Sequence, residues 1–135
     1  MNEDLKNSLD LASDTFDDAK LMAKYERYRG AMNRCYYAYY YLAKGFLITK
    51  EIIAKTHKGL SSEFNRVFIK TQEIPLMYGE YLAYLFKERQ SADYEPEEEI
   101  GKEEVDKALQ MVEEFINFVK EKYQINRLNR TECNP

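Results

Sequence analysis

Two segments at opposite ends of this chain repeat apolar residues at intervals of three and four, and that spacing constrains the fold more than any other feature. Near the start, Leu5, Leu9, Ala12, Phe16, Ala19 and Ala23 step this way; near the end, Val105, Leu109, Val112, Phe115, Ile116, Val119 and Tyr123 do the same. A helix turns about 100° per residue, so each set falls on one stripe that must be buried against something. The spacing predicts helices over about residues 3 to 25 and from Val105 to Tyr123, with Gly101 and the preceding Pro96-Glu-Glu-Glu stretch supplying the break before the last one. Between them, Leu60, Phe64, Val67 and Phe68 predict a short helix ending near Thr71. Ile74-Pro75 then restarts the chain into Leu76, Tyr81, Leu82, Leu85 and Phe86, a helix to about Gln90. No apolar/polar alternation is bounded by hairpin signals, and glycine is scarce. The predicted fold is all-α, a bundle of about five helices.

The 135 residues are enough for one core without metals or disulfides, so a single domain over residues 1–124 is expected. Residues 125–135, within the Asn- and Arg-rich end, carry no packing pattern and are expected to form a flexible tail. The longest uncharged run is the nine residues from Cys35 to Ala43, whereas a membrane span needs roughly 20 apolar residues. The N-terminus, MNEDLKNSLD, is charged and has no secretory apolar core, so a cytoplasmic protein is expected. Cys35 and Cys133 form no CxxC pair, and with His57 as the one histidine no metal site and no cofactor are implied.

Charge is unevenly spread. From Lys20 to Lys70 there are eleven Lys or Arg against three acids, a balance of +8, which leaves −12 on the rest of a chain whose net charge is −4. Much of the negative charge lies in residues 93–104. Such asymmetry marks either a surface that meets an anion, such as RNA, nucleotide or an acidic partner, or basic and acidic helices that pair within the fold.

Residues 33–47, NRCYYAYYYLAKGFL, place five tyrosines within six positions directly after Arg34 and Cys35. Tyrosine favours strands, and nine uncharged residues would suffice for one. The apolar pattern nevertheless extends from Ala31 and Met32 through Phe46, Leu47 and Ile48, which is helix length, and a lone strand would find no partner. A helix over about residues 29 to 53, apolar nearly all round, is therefore predicted, in the middle of the bundle or at a subunit interface. Arg34, Ala38, Tyr41 and Gly45 fall on one stripe, with Gly30 and Tyr37 beside it. The small residues would admit another backbone, and Arg34 would stand in a wall of tyrosines, free to bind phosphate or carboxylate with two N–H groups. The competing reading pairs Arg34 with an internal acid such as Asp93.

The same residues carry a family resemblance. Asn33-Arg34-Cys35-Tyr36-Tyr37-Ala38, then Thr56-His57-Lys58-Gly59, then Arg89-Gln90-Ser91-Ala92-Asp93-Tyr94, followed by an amphipathic last helix, resemble in order the motifs of the HEPN superfamily and its short stand-alone prokaryotic members. The resemblance covers about residues 20 to 123. It implies an antiparallel up-and-down helical bundle, commonly a homodimer, often paired with a nucleotidyltransferase in a toxin–antitoxin-like module. Active members are metal-independent ribonucleases that use Arg, four to six residues, then His, with the imidazole moving protons and the guanidinium holding phosphate.

Here the histidine positions counted from Arg34 are 39, 40 and 41, and all three are tyrosine. A tyrosine with pKa ~10 is a poor proton acceptor at neutral pH, which counts against that activity. His57 enters the next helix, outside the motif spacing. It either bonds backbone or a neighbouring acid, or joins the site. The expected function is a nucleotide-, RNA- or partner-binding component, with Asn33, Arg34, Tyr37, Tyr41, Lys55, His57 and Lys58 as the binding set. The alternatives are a divergent ribonuclease using Arg34 with His57 or Tyr41, and a structural, oligomerising subunit without a ligand.

Overall fold

A computed structural model describes residues 2–123. Its helices are α1 (Glu3–Lys24), α2 (Tyr28–Thr49), α3 (His57–Phe64), α4 (Leu76–Tyr94) and α5 (Lys102–Tyr123), with a π-helical turn, Asn65–Ile69, continuing α3. No strand occurs among the described residues, and the bundle is all-α. The tail expected from residue 125 lies outside the described residues.

Each helix starts and stops for identifiable reasons. Asn2 caps α1 by accepting from the N–H groups of Asp4 (2.7 Å) and Leu5 (3.2 Å), while Glu3 and Asp4 place negative charge at the positive end of the helix. Thr56 caps α3, its hydroxyl accepting from the Gly59 N–H at 2.8 Å. The turn between α1 and α2 is only three residues long, so the two helices run antiparallel.

α2 is central: it packs on α1, α3, α4 and α5. Ala31, Met32, Cys35, Leu42, Ala43, Phe46 and Leu47 are buried there. At Gly45 the approach of α1 is so close that a Cβ would lie 2.4 Å from Ser8 Cβ, as a small residue on the stripe requires. Tyr39 stacks on Phe115 of α5 with ring centroids 4.3 Å apart and donates its hydroxyl to the Tyr78 carbonyl of α4 at 2.7 Å. Tyr81 of α4 donates to Glu114 of α5 at 2.7 Å.

Two boundaries and one helical geometry differ from expectation. α2 ends at Thr49 rather than near residue 53, because Glu51 adopts a positive φ of 61° and the Ile52 N–H folds back onto the Leu47 carbonyl at 3.0 Å. α4 continues one turn past Gln90 to Tyr94, where Ala92 is buried and Arg29 satisfies the terminal carbonyls. The short third helix widens into the π turn, in which the Lys70 N–H donates to Asn65 O at 2.8 Å. Gly79 of α4 lies against this wide turn, and a Cβ on it would come within 2.5 Å of Asn65 Oδ1.

Candidate functional site

The seam between α2 and α4 is polar and is built at helical spacing. Arg29 donates to a fan of main-chain carbonyls at the end of α4 and in the loop after it: Ser91 (3.3 Å), Ala92 (2.8 Å), Glu95 (3.4 Å), Pro96 (3.2 Å) and Glu98. One turn on, Asn33 Nδ2 donates to Asp93 Oδ2 at 2.9 Å. After another turn, the Tyr37 hydroxyl accepts from Arg89 Nη2 at 2.8 Å. Residues 29, 33 and 37 share one face of α2, so the tilt of α2 against α4 sets all three contacts at once.

Arg34 is half-buried, and its Nε (3.0 Å) and Nη2 (2.8 Å) both donate to Asn33 Oδ1. Its guanidinium carbon lies 5.3 Å from the Tyr37 ring centroid, within cation–π range. The expected alternative of a direct Arg34–Asp93 pair is replaced by a relay in which Asn33 stands between them. The enclosed guanidinium is instead Arg89, only 6% exposed, 5.3 Å from the Tyr36 and Tyr37 ring centroids and 5.8 Å from that of Tyr94. Its Nε lies 3.5 Å from Asp93 Oδ2, an ion-pair distance that closes no hydrogen bond. Burial works against the Arg89 charge, but the Tyr37 hydroxyl and the Asp93 carboxylate outweigh it and raise its pKa.

His57 joins the same cluster from the first residue of α3. Its Nδ1 lies 2.7 Å from the Tyr36 hydroxyl, and its ring lies 4.9 Å from Tyr40, 5.5 Å from Tyr36 and 5.8 Å from Tyr37, centroid to centroid. Among the described residues it thus bonds neither backbone nor a neighbouring acid. Burial, and then the Arg89 charge, hold its pKa below the ordinary value, so the ring is neutral near pH 7. Burial also raises Tyr36, with Arg89 partly opposing, so its hydroxyl stays protonated and shares with the neutral imidazole a hydrogen bond whose direction is set by the ring's tautomer. Nε2 has no hydrogen-bond partner among the described residues.

Tyr37, Tyr40 and Tyr41 form the half-exposed front of this cluster, with Tyr41 5.9 Å from Tyr37 and 5.8 Å from Tyr40 by centroid. Lys44 Nζ lies 5.8 Å from the Tyr40 ring. Among the predicted site residues, the structure links Asn33, Arg34, Tyr37, Tyr41 and His57 through contacts on or next to Tyr37. Lys55 and Lys58 are exposed at its margin without a polar partner among the described residues. The predicted binding set left out Arg89, Tyr36 and Tyr40, although Tyr36 and Arg89 stand in the motifs that carry the family resemblance; the spacing of Arg89 and Asp93, four apart on one helix, was a further signal. The buried Cys35 thiol is pushed up to about 12 by desolvation and is no nucleophile. The basic and acidic segments do not pair wholesale: of the five ion pairs among the described residues, four lie within one helix or turn and only Lys50–Glu73 joins distant parts of the chain.

An all-α bundle whose central helix carries Asn-Arg and a tyrosine run, facing a histidine at the head of the third helix and an Arg…Asp pair at the end of the fourth, defines a class of small helical domains. The HEPN domain family model matches residues 5–122, and the chain belongs to that family. A Methanocaldococcus jannaschii protein named "Putative toxin" is 35% identical over 124 residues, covering 92% of this chain and 84% of the relative. A UPF0332 protein of Thermotoga maritima is 33% identical over 108 residues, covering 80% and 82%. A second M. jannaschii protein of the "Putative toxin" name is 28% identical over 120 residues, covering 89% of each chain. No helix among the described residues is long and apolar enough to cross a membrane.

Proposed function

We propose that this protein is the HEPN component of a toxin–antitoxin-like module and that the front of α2 binds single-stranded RNA. The observation that carries the reading is the gathering of Arg34, His57 and the buried Arg89 behind the half-exposed rings of Tyr37 and Tyr40. Tyrosine faces stack bases without regard to sequence, and Arg34 with Lys44, Lys55 and Lys58 supplies positive charge for the phosphates. The toxin names of two relatives support the module context; a nucleotidyltransferase-family partner and a cytoplasmic location are part of the same proposal. The same half-exposed face is proposed to bring two copies together. Sedimentation of the wild type beside Tyr37→Ala and Tyr41→Ala tests this, and a monomeric wild type refutes it.

Fluorescently labelled RNA and ATP, titrated at low and moderate salt, test the binding reading. RNA binding that weakens with salt, and falls about tenfold in Arg34→Ala without a change in melting temperature, is the expected result. Binding of neither ligand, with Arg34→Ala altering stability alone, refutes it. A second reading, metal-independent RNA cleavage, is favoured by one observation: a neutral imidazole stands beside the arginine-bearing ring, with Nδ1 held by Tyr36. It predicts cleavage in EDTA that disappears in both His57→Ala and Arg34→Ala.

A further inference from the structure

Resting on the RNA-binding reading above, one residue outside the predicted binding set takes a defined role. Asp93 is the point at which two chains of contacts around Arg34 meet. Its Oδ2 accepts from Asn33 Nδ2 at 2.9 Å, and Asn33 Oδ1 in turn accepts from Nε and Nη2 of Arg34. The same oxygen lies 3.5 Å from Arg89 Nε, and Arg89 Nη2 holds the Tyr37 hydroxyl at 2.8 Å. Tyr37 is the ring against which the Arg34 guanidinium lies. Arg34 is therefore fixed on its edge through Asn33 and on its face through Tyr37, and both supports lead back to Asp93. A guanidinium offers two bidentate edges, one from Nε and Nη2 and one from Nη1 and Nη2. Asn33 occupies the first, which leaves the second for a ligand.

We infer that Asp93 is a positioning residue that selects the Nη1–Nη2 edge of Arg34 for an RNA phosphate, acting through Asn33 on one side and through Arg89 and Tyr37 on the other. The sign of its effect separates this role from simple electrostatics. A carboxylate near an anion site repels the ligand, so its removal should tighten binding if charge were its only contribution. A positioning role requires the opposite.

The test compares Asp93→Ala with Asp93→Asn, which removes the charge but keeps an oxygen able to accept from Asn33. Labelled single-stranded RNA is titrated at fixed salt, melting temperatures are recorded, and the Arg34 Nε–H is followed by nitrogen–proton NMR in the free protein. Asp93→Ala should bind RNA roughly tenfold more weakly, the order expected for a lost charge-assisted contact, while Asp93→Asn stays within about twofold of the wild type. The Arg34 Nε–H signal should be protected from solvent exchange in the wild type and Asp93→Asn, and lost in Asp93→Ala. Binding in Asp93→Ala as tight as or tighter than in the wild type overturns the inference. If the wild type binds no RNA, the functional reading above fails, and the NMR comparison still decides the positioning role: an unchanged Nε–H signal in Asp93→Ala overturns it.

Discussion

Tyr39 and Tyr37 lie two residues apart on α2 and share a side chain, yet they live in different chemistries. Tyr39 is fully buried, stacked on Phe115, with its hydroxyl spent on the Tyr78 carbonyl. Burial there raises its pKa well above the ordinary value, and with the ring dry on all sides the residue is a packing element. Tyr37 is half-exposed; its hydroxyl accepts from a buried guanidinium and its ring lies beside a second one. The difference arises from a 200° rotation around one helix, which turns the first ring toward α5 and the second toward α4 and solvent. One run of tyrosines thus supplies both the core and the candidate site, and the residues can be sorted by the neighbour each one meets.

The largest test of that division is Tyr39→Ala. Removing a buried, stacked aromatic should cost about 3–5 kcal/mol, measured by urea unfolding, whereas Tyr41→Ala on the open face should cost under about 1 kcal/mol. Equal losses at the two positions would erase the distinction between a dry and an open side. An intermediate effect belongs to Gly45→Val, on the side facing α1. The new Cβ would meet Ser8 Cβ and Oγ at 2.4 Å, and because a Cβ is fixed to its backbone, α1 itself must move. A loss of about 1–3 kcal/mol is expected, and pairing with Ser8→Gly should recover part of it.

These same contacts explain what the sequence could and could not disclose. α1 and α5 each bury one face against a single side of the bundle, so their apolar residues recur at three and four and their extents were legible. The end of α2 was not, because Ile52 and Ile53 continue an apolar pattern while Glu51, with no glycine to announce it, turns the chain at positive φ. The end of α4 was hidden for a different reason: Arg29, more than sixty residues away, caps its carbonyls, and no local signal marks such a partner. The candidate site divides the same way. Arg34 and the tyrosines were visible as a stripe on one helix. Arg89 opens one of the family motifs, but beside Lys87 and Glu88 its charge pattern alone reads as surface; only the packing of α4 against Tyr36 and Tyr37 buries it. The meeting of His57 with Tyr36 depends on how the loop after α2 returns α3 to the bundle, which residue periodicity does not encode.

The smallest effect concerns that histidine and separates the two sides of α2 by pH. The groups facing the His57 ring are Tyr36, Tyr37 and Tyr40 of α2 and Phe86 of α4, with the Arg89 charge close enough to act on it; no carboxylate is among its contacts. Burial and that cation hold the folded-state pKa below the ordinary 6.5, so between the two values the unfolded chain binds more protons than the folded one. The stability contribution is therefore fully present above the ordinary value and is lost as pH falls from there through the folded pKa. Urea unfolding between about pH 5 and 8 should show wild-type stability declining toward acid more steeply than that of His57→Gln, which carries no titrating ring. A parallel decline in the two proteins would mean that the imidazole is not held in this aromatic and cationic setting. A bound phosphate would reverse the local field, favour the protonated ring and raise its pKa, so adding an RNA that binds the front of α2 should shrink the difference between the two proteins. Tyr39, on the far side of the same helix, should be indifferent to both changes.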